Sequence, residues 1–257
     1  LIVMSESIEG DPTVLYHAMH ICDSAFPAGA LAHSVGLESA LSHGFVERGD
    51  ITSLENFIYI TSEQAIGLSV PFVSDAHKAV KRIQNKVQLD YLREIARLDA
   101  QFQSLMSNDV AQRASVLQGK GFLRVAQEAF PSEKLLMLEQ FIRRSKSSGN
   151  MPTYGHYPVL FGFVCGNLGI PVNITRRMFL RCIVRDIISA ASRLSIVGPL
   201  EGARVQAMFH PKMEEMLEAM EANLPTDGAA TFRHQVSPVL EIIQGRQDSL
   251  YSRLFNS

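Results

Sequence analysis

"YPVLFGFVCGNLGIP", residues 157–171, is the longest apolar run in the chain. A helix that crosses a bilayer needs about 20 apolar residues, and this run is shorter, contains Asn167 and carries prolines near both ends. It reads instead as a helix from Val159 to Leu168 with no polar face. Such a helix has to be buried on all sides, so helices from both halves of the sequence must pack around it. The loop "SSGNMPTYGHYP" just before it is the clearest break in the chain, yet the need to bury the apolar helix favours one domain over two.

Working outward, the flanking segments are helical as well. "NITRRMFLRCIVRDIISAASRL" sets Leu180, Val184, Ile187, Ala191 and Leu194 on one stripe, with Ile183 and Ile188 beside it, and reads as a central helix that Gly198-Pro199 stops. "VQLDYLREIARLDAQFQSLM" spaces Tyr91, Ile95, Leu98, Phe102 and Leu105 by fours and threes. Thr52 with Glu55 makes a capping-box pattern before another helix, Pro71 should bend or break the chain, and Asn108 or Ser107 can cap "DVAQRASVLQGKGFLRVAQEAF". Pro131-Ser132 separates that helix from the next, and Pro211 should kink or divide a later one. No segment alternates with period two, and there is no internal repeat. The expectation is an all-α fold: a single-domain bundle of roughly ten helices over 13–257, with a disordered segment 1–12 and a tail at 238–257. The Leu1–Val3 lead before Met4 is set aside.

Bulk composition narrows the function. The 257 residues are 46% hydrophobic with a formal charge of −2, which supplies a core and no global attraction to nucleic acid or an anionic membrane. Cys22, Cys165 and Cys182 are far apart without a C-x-x-C pair, so they read as buried free thiols in a reducing compartment, and the cytoplasm is the expected location.

Several patterns invite chemistry. "AHSVG" at 32–36 fits a nucleophile elbow, with His33 beside Ser34 and Glu38 one turn on, but an elbow works at a strand-to-helix junction of an α/β sheet. Here "FPAGALA" precedes it, so the plain reading is a Pro27–Gly29 loop before a helix from Leu31 to Leu41, and a Ser34 hydrolase is the enzyme alternative. "GKG" at 119–121 lacks the Walker glycine and hydroxyl, and suits close helix packing or a kink. His17 and His20, three apart with Cys22 nearby, would suit nickel or zinc on one helix face, but two histidines are not a site. A direct nickel carrier is the second alternative. Arg177, Arg181 and Arg185 recur every four residues, either solvated or paired internally, or forming a basic docking stripe for an acidic partner. The tail "DSLYSRLFNS" places Leu250, Tyr251, Leu254 and Phe255 around Arg253, a composition that either docks on its own core or binds a partner.

Three segments in order, "DSAFPAGALAHSVGLE", "ISAASRL" with "VGPLEGARVQ", and the closing "YSRLFNS", resemble the urease accessory protein UreF family, with "RASVLQGKGFLRVA" as a weaker fourth. The resemblance implies an all-α homodimer that is not an enzyme. It would bridge UreD (UreH in some organisms) and the GTPase UreG and modulate GTP-dependent nickel insertion into apo-urease. Nickel would be handled by the complex, with no cofactor held stably by this chain. Carried over residue by residue, the partner-facing positions would be His33, Ser34, Gly36 and Glu38, then Arg193, then Tyr251, Arg253, Leu254 and Phe255. Two departures from the family pattern stand out. Ala30 follows Gly29 where a second glycine is common, and Arg246-Gln247-Asp248 replaces Arg-His-Glu, which removes a titratable imidazole.

Overall fold

A computed structural model describes residues 11–27, 33–81, 90–145, 152–223 and 233–257. All regular structure among them is helical, as expected. The elements are α1 (Pro12–Cys22), α2 (Leu37–Ser42), α3 (Ile51–Gln64), a π-helical turn (Ala65–Ser69), α4 (Val70–Lys81), α5 (Asp90–Leu105) and α6 (Asp109–Ala129). They continue as α7 (Glu133–Ser145), α8 (Tyr157–Asn167), α9 (Val172–Arg193), α10 (Pro199–Ala222), α11 (Pro238–Gly245) and a 3-10 turn (Arg246–Ser249). Among the described residues no helix is long and apolar enough to cross a membrane. The residues group into two compact units, one drawn from 1–28, 72–104 and 115–179, the other from 29–71, 105–114 and 180–257. Of the N-terminal segment 1–12, residues 1–10 lie outside the described residues, whereas Asp11 caps α1 through the Thr13 N–H at 2.9 Å and Pro12 opens the helix.

The first unit is organised around α8, in which every residue from Tyr157 to Gly166 is buried. Glycine makes this possible where backbone meets backbone: a Cβ on Gly162 would collide with the Val73 carbonyl of α4, and one on Gly166 would sit 2.9 Å from the His77 carbonyl. Rings fill the rest. Phe163 stacks on Tyr91 of α5, Phe161 on Phe122 of α6, and Tyr157 and Phe161 both meet Phe179 of α9, so helices from before and after α8 enclose it. The start of α8 is held by a buried carboxylate: Asp99 accepts the N–H groups of Tyr154, Gly155 and His156. His156, also fully buried, bonds Gln103 Oε1 at 2.7 Å and Ser115 Oγ at 3.2 Å. Gly119 of the "GKG" stretch lies directly against the Gly155 carbonyl, which bears out the close-packing reading.

In the second unit, local chemistry moves several helix ends away from their expected places. α2 begins at Leu37 rather than Leu31, because Val35 (φ 58°) and Gly36 (φ 87°) adopt left-handed backbone that no helix can include; residues 31 and 32 lie outside the described residues. The Thr52–Glu55 capping box gives way to Asp50, whose carboxylate accepts the Thr52 N–H at 3.0 Å and favours the positive end of α3. Asn108 does cap the next helix, accepting from Val110 at 2.9 Å. Pro71 does not break the chain. The missing proline N–H is absorbed by the π-helical turn before it, and the Gly67 carbonyl it would have bonded accepts instead from the His234 N–H at 3.2 Å. Pro211 lies inside an undivided α10, and Gly198-Pro199 starts α10 rather than stopping α9, which has already ended at Arg193.

Candidate functional site

The sequence-predicted residues of the first motif and the tail meet in the second unit. Ser34 is fully buried; its hydroxyl donates to the Ser257 carbonyl at 2.8 Å, and its N–H reaches the same oxygen at 2.5 Å. The same hydroxyl accepts the Glu38 N–H at 3.3 Å. His33 Nδ1 and Ser257 Oγ are joined at 2.7 Å, and burial lowers the imidazole pKa below its usual range. His33 and Glu38 thus turn to the tail rather than to Ser34 Oγ, so the geometry of a catalytic triad is not formed.

Glu38 is the centre of the arrangement. One carboxylate oxygen accepts the Leu254 N–H at 2.6 Å; the other accepts the Phe255 N–H at 3.1 Å and the Gln247 amide at 2.7 Å. A single carboxylate therefore satisfies two backbone donors of a segment without helical hydrogen bonds, which is what an ordered non-helical tail needs. Gln247 is fully buried and also donates to the Phe255 carbonyl at 3.3 Å. It stands where the family pattern has histidine, and its amide makes this contact without a titration.

The turn before α2 fits only glycine at position 36. A Cβ there would lie 2.5 Å from Gln244 Cγ, and Gln244 donates to the Val35 carbonyl at 3.2 Å. α11, which carries Gln244, is itself moored through Glu241, midway along it. Glu241 accepts from Gln64 at 3.2 Å and from Ser107 at 3.0 Å, and its carbonyl accepts from Asn108 at 2.9 Å.

Phe255 inserts inward, 2% exposed, with the Arg193 guanidinium 4.3 Å from its ring centroid. Tyr251 and Leu254 point outward and are 107% and 62% exposed. Arg253 bonds Asp248 at 2.9 Å, and Asp248 also pairs with Arg113. The tail thus does both things its composition allowed: part of it docks on its own unit, and part remains open.

The remaining candidates fall elsewhere. Along α9, Arg177 donates to the Asn173 carbonyl at 3.0 Å, Arg181 is exposed, and Arg185 pairs with Asp186 at 2.8 Å. The stripe is therefore divided in environment. His17 and His20 set their rings edge-on to Phe130, with centroids 4.8 and 5.5 Å away. Among the described residues no three His, Cys, Asp or Glu side chains gather where they could hold a metal ion. The Ala30 departure lies outside the described residues. Sequence reasoning missed Gln244, Glu241 and Ser257. The signal available for the first two was a polar residue at every third position, Glu241, Gln244 and Gln247, in "VLEIIQGRQ".

The fold and the clamp define an all-α protein that carries its C-terminal segment as an ordered part of its own surface. A family model described as UreF matches residues 49–210. Urease accessory protein F of Arabidopsis thaliana is 32% identical over 240 residues, covering 92% of this chain and 90% of the relative. That of Oryza sativa subsp. indica is 31% identical over 241 residues, covering 94% and 84%. Urease accessory protein UreF of Rhodopseudomonas palustris (strain BisB5) is 30% identical over 245 residues, covering 95% and 91%. The chain belongs to the UreF family of urease accessory proteins.

Proposed function

We propose that this protein is a non-enzymatic scaffold in urease maturation, a symmetric cytoplasmic homodimer that bridges UreD (UreH) and the GTPase UreG on the way to nickel insertion into apo-urease. The tail faces UreD; a separate surface, of which the Arg181 region is one candidate, faces UreG and modulates its GTP cycle. The chain holds no metal of its own, and nickel passes through the complex. The observation that carries this reading is the clamp. His33, Ser34, Gly36, Glu38 and Arg193 fix the inner side of the tail, so that Tyr251 and Leu254 are presented to solvent on a preordered backbone. Preordering removes much of the entropic cost a partner would otherwise meet when it binds a non-helical segment.

Co-expression with UreD and UreG tests it. The three proteins should co-elute in gel filtration, and truncation after Gln247 should abolish UreD association. The truncated chain should keep most of its helical circular dichroism, because the residues removed lie almost entirely beyond the last helical turn. A truncated chain that still binds UreD, or intact proteins that never associate, would overturn the proposal. Equilibrium dialysis of the isolated chain should leave no stoichiometric nickel.

A further inference from the structure

Away from the tail clamp, the second unit contains an open cleft of about 660 Å³ between the end of α3, the π-helical turn and the C-terminal half of α10. Its lining is apolar and soft: Ile66 comes from the turn, Pro71 from the start of α4, Met216 and Met220 from α10, and Val236 from the segment after it. Methionine floors adapt to the shape of what they receive. The cleft depends on Gly67, where a Cβ would approach Val236 Cγ2 to 2.7 Å and would force the walls apart.

The rim is acidic. Glu63 and Glu215 line it, and Glu218 continues the exposed side one turn along α10. Between residues 212 and 223 the sequence has four glutamates against one lysine. That lysine, Lys212, lies over the Tyr59 ring at 4.7 Å, while the Tyr59 hydroxyl donates to Glu63 at 2.7 Å. The last turn of α10 contains no basic residue, so the negative end of the helix dipole adds to the carboxylates instead of being offset within the helix. An apolar groove under a negative field is complementary to an amphipathic segment with apolar anchors and flanking cations.

We infer that this cleft is a second docking site, which receives a basic amphipathic helix from a partner protein. It is separate from the tail surface and does not depend on the tail reading. The probe is a fluorescein-labelled helical peptide of about 15 residues built from leucine and lysine, with leucines at i, i+3 and i+4. Its counterpart has glutamate in place of lysine. With the full chain, the lysine peptide should bind saturably, more weakly as salt rises, and should protect backbone amides of 59–67 and 212–223 from hydrogen exchange. The double variant Glu215→Lys/Glu218→Lys changes exposed residues only and should weaken binding by about tenfold or more at an unchanged melting temperature. Phe255→Ala should leave peptide binding intact, which separates this site from the tail.

No binding, equal binding of the glutamate peptide, or protection elsewhere would overturn the inference. So would a homodimer that falls apart when Met216 is replaced by Asp, because the cleft would then belong to a second copy of the chain.

Discussion

Glu38 gathers three donors of the tail on one carboxylate: it accepts the Leu254 and Phe255 N–H groups and the Gln247 amide. Leaving a buried donor unsatisfied costs about 1–3 kcal/mol. Glu38→Ala should therefore lower stability in urea by about 2 kcal/mol or more, and the amides of 254 and 255 should exchange faster than in the wild type. Unchanged exchange at both would remove Glu38 from this role. Glycine 36 offers a paired test. Gly36→Ala meets both a φ of 87° and the Gln244 side chain at 2.5 Å, whereas Gly44→Ala meets a φ of 74° and open space. Both should destabilise, Gly44→Ala by about 1 kcal/mol from backbone strain alone and Gly36→Ala by clearly more, read as a difference in urea midpoint.

Among the elements, the tail separates packing from presentation within five residues. Phe255→Ala removes a buried ring and its contact with Arg193, for an expected loss of about 3 kcal/mol. Tyr251→Ala and Leu254→Ala touch exposed side chains and should stay within about 0.5 kcal/mol of the wild type while weakening UreD association by tenfold or more. Isothermal titration with purified UreD, set beside thermal melts, distinguishes the two classes; a full-affinity Tyr251→Ala/Leu254→Ala double variant would show that the outward side is not the docking face. The π-helical turn makes the parallel point about proline. From its chemistry, Pro71 reads as a bend or break, but a helix can keep going when the carbonyl that loses its partner finds another, and the Gly67 carbonyl finds the His234 N–H.

For the whole molecule, stability should respond to acid through the buried pair at the start of α8. Burial, reinforced by Lys120, holds His156 down to about 3 from an ordinary value of 6.5. Between those values the unfolded chain binds the proton and the folded one does not. The stabilisation from neutral His156 is thus complete above pH 6.5 and drains away as pH falls toward 3. Asp99 acts in the opposite sense, since burial raises its carboxyl against the lowering influence of the three N–H groups and Lys120. His156→Asn leaves Asp99 in place, so subtracting the two stability–pH curves isolates the imidazole. The wild-type advantage should shrink by a few kcal/mol from about pH 7 to about pH 4, and a flat difference would contradict the linkage.

The apolar run at 157–171, the helical periods around it and the cap at Asn108 were open to reading because burial on all sides, 3.6-residue spacing and terminal hydrogen bonds are local properties of the chain. The three family segments were legible too, as words without geometry. What local rules could not supply was the start of α2, since the left-handed pair Val35-Gly36 is favoured by its support from Gln244, more than 200 positions away. Nor could they supply the meeting of Ser34 with Ser257 or of Glu38 with Leu254. By itself, the sequence determined an all-α chain and which segments carry its distinctive residues. Only the tertiary structure decided that Ser34, His33 and Glu38 hold a tail rather than form a triad, because hydrogen-bond partners far apart in sequence are chosen by packing and not by periodicity.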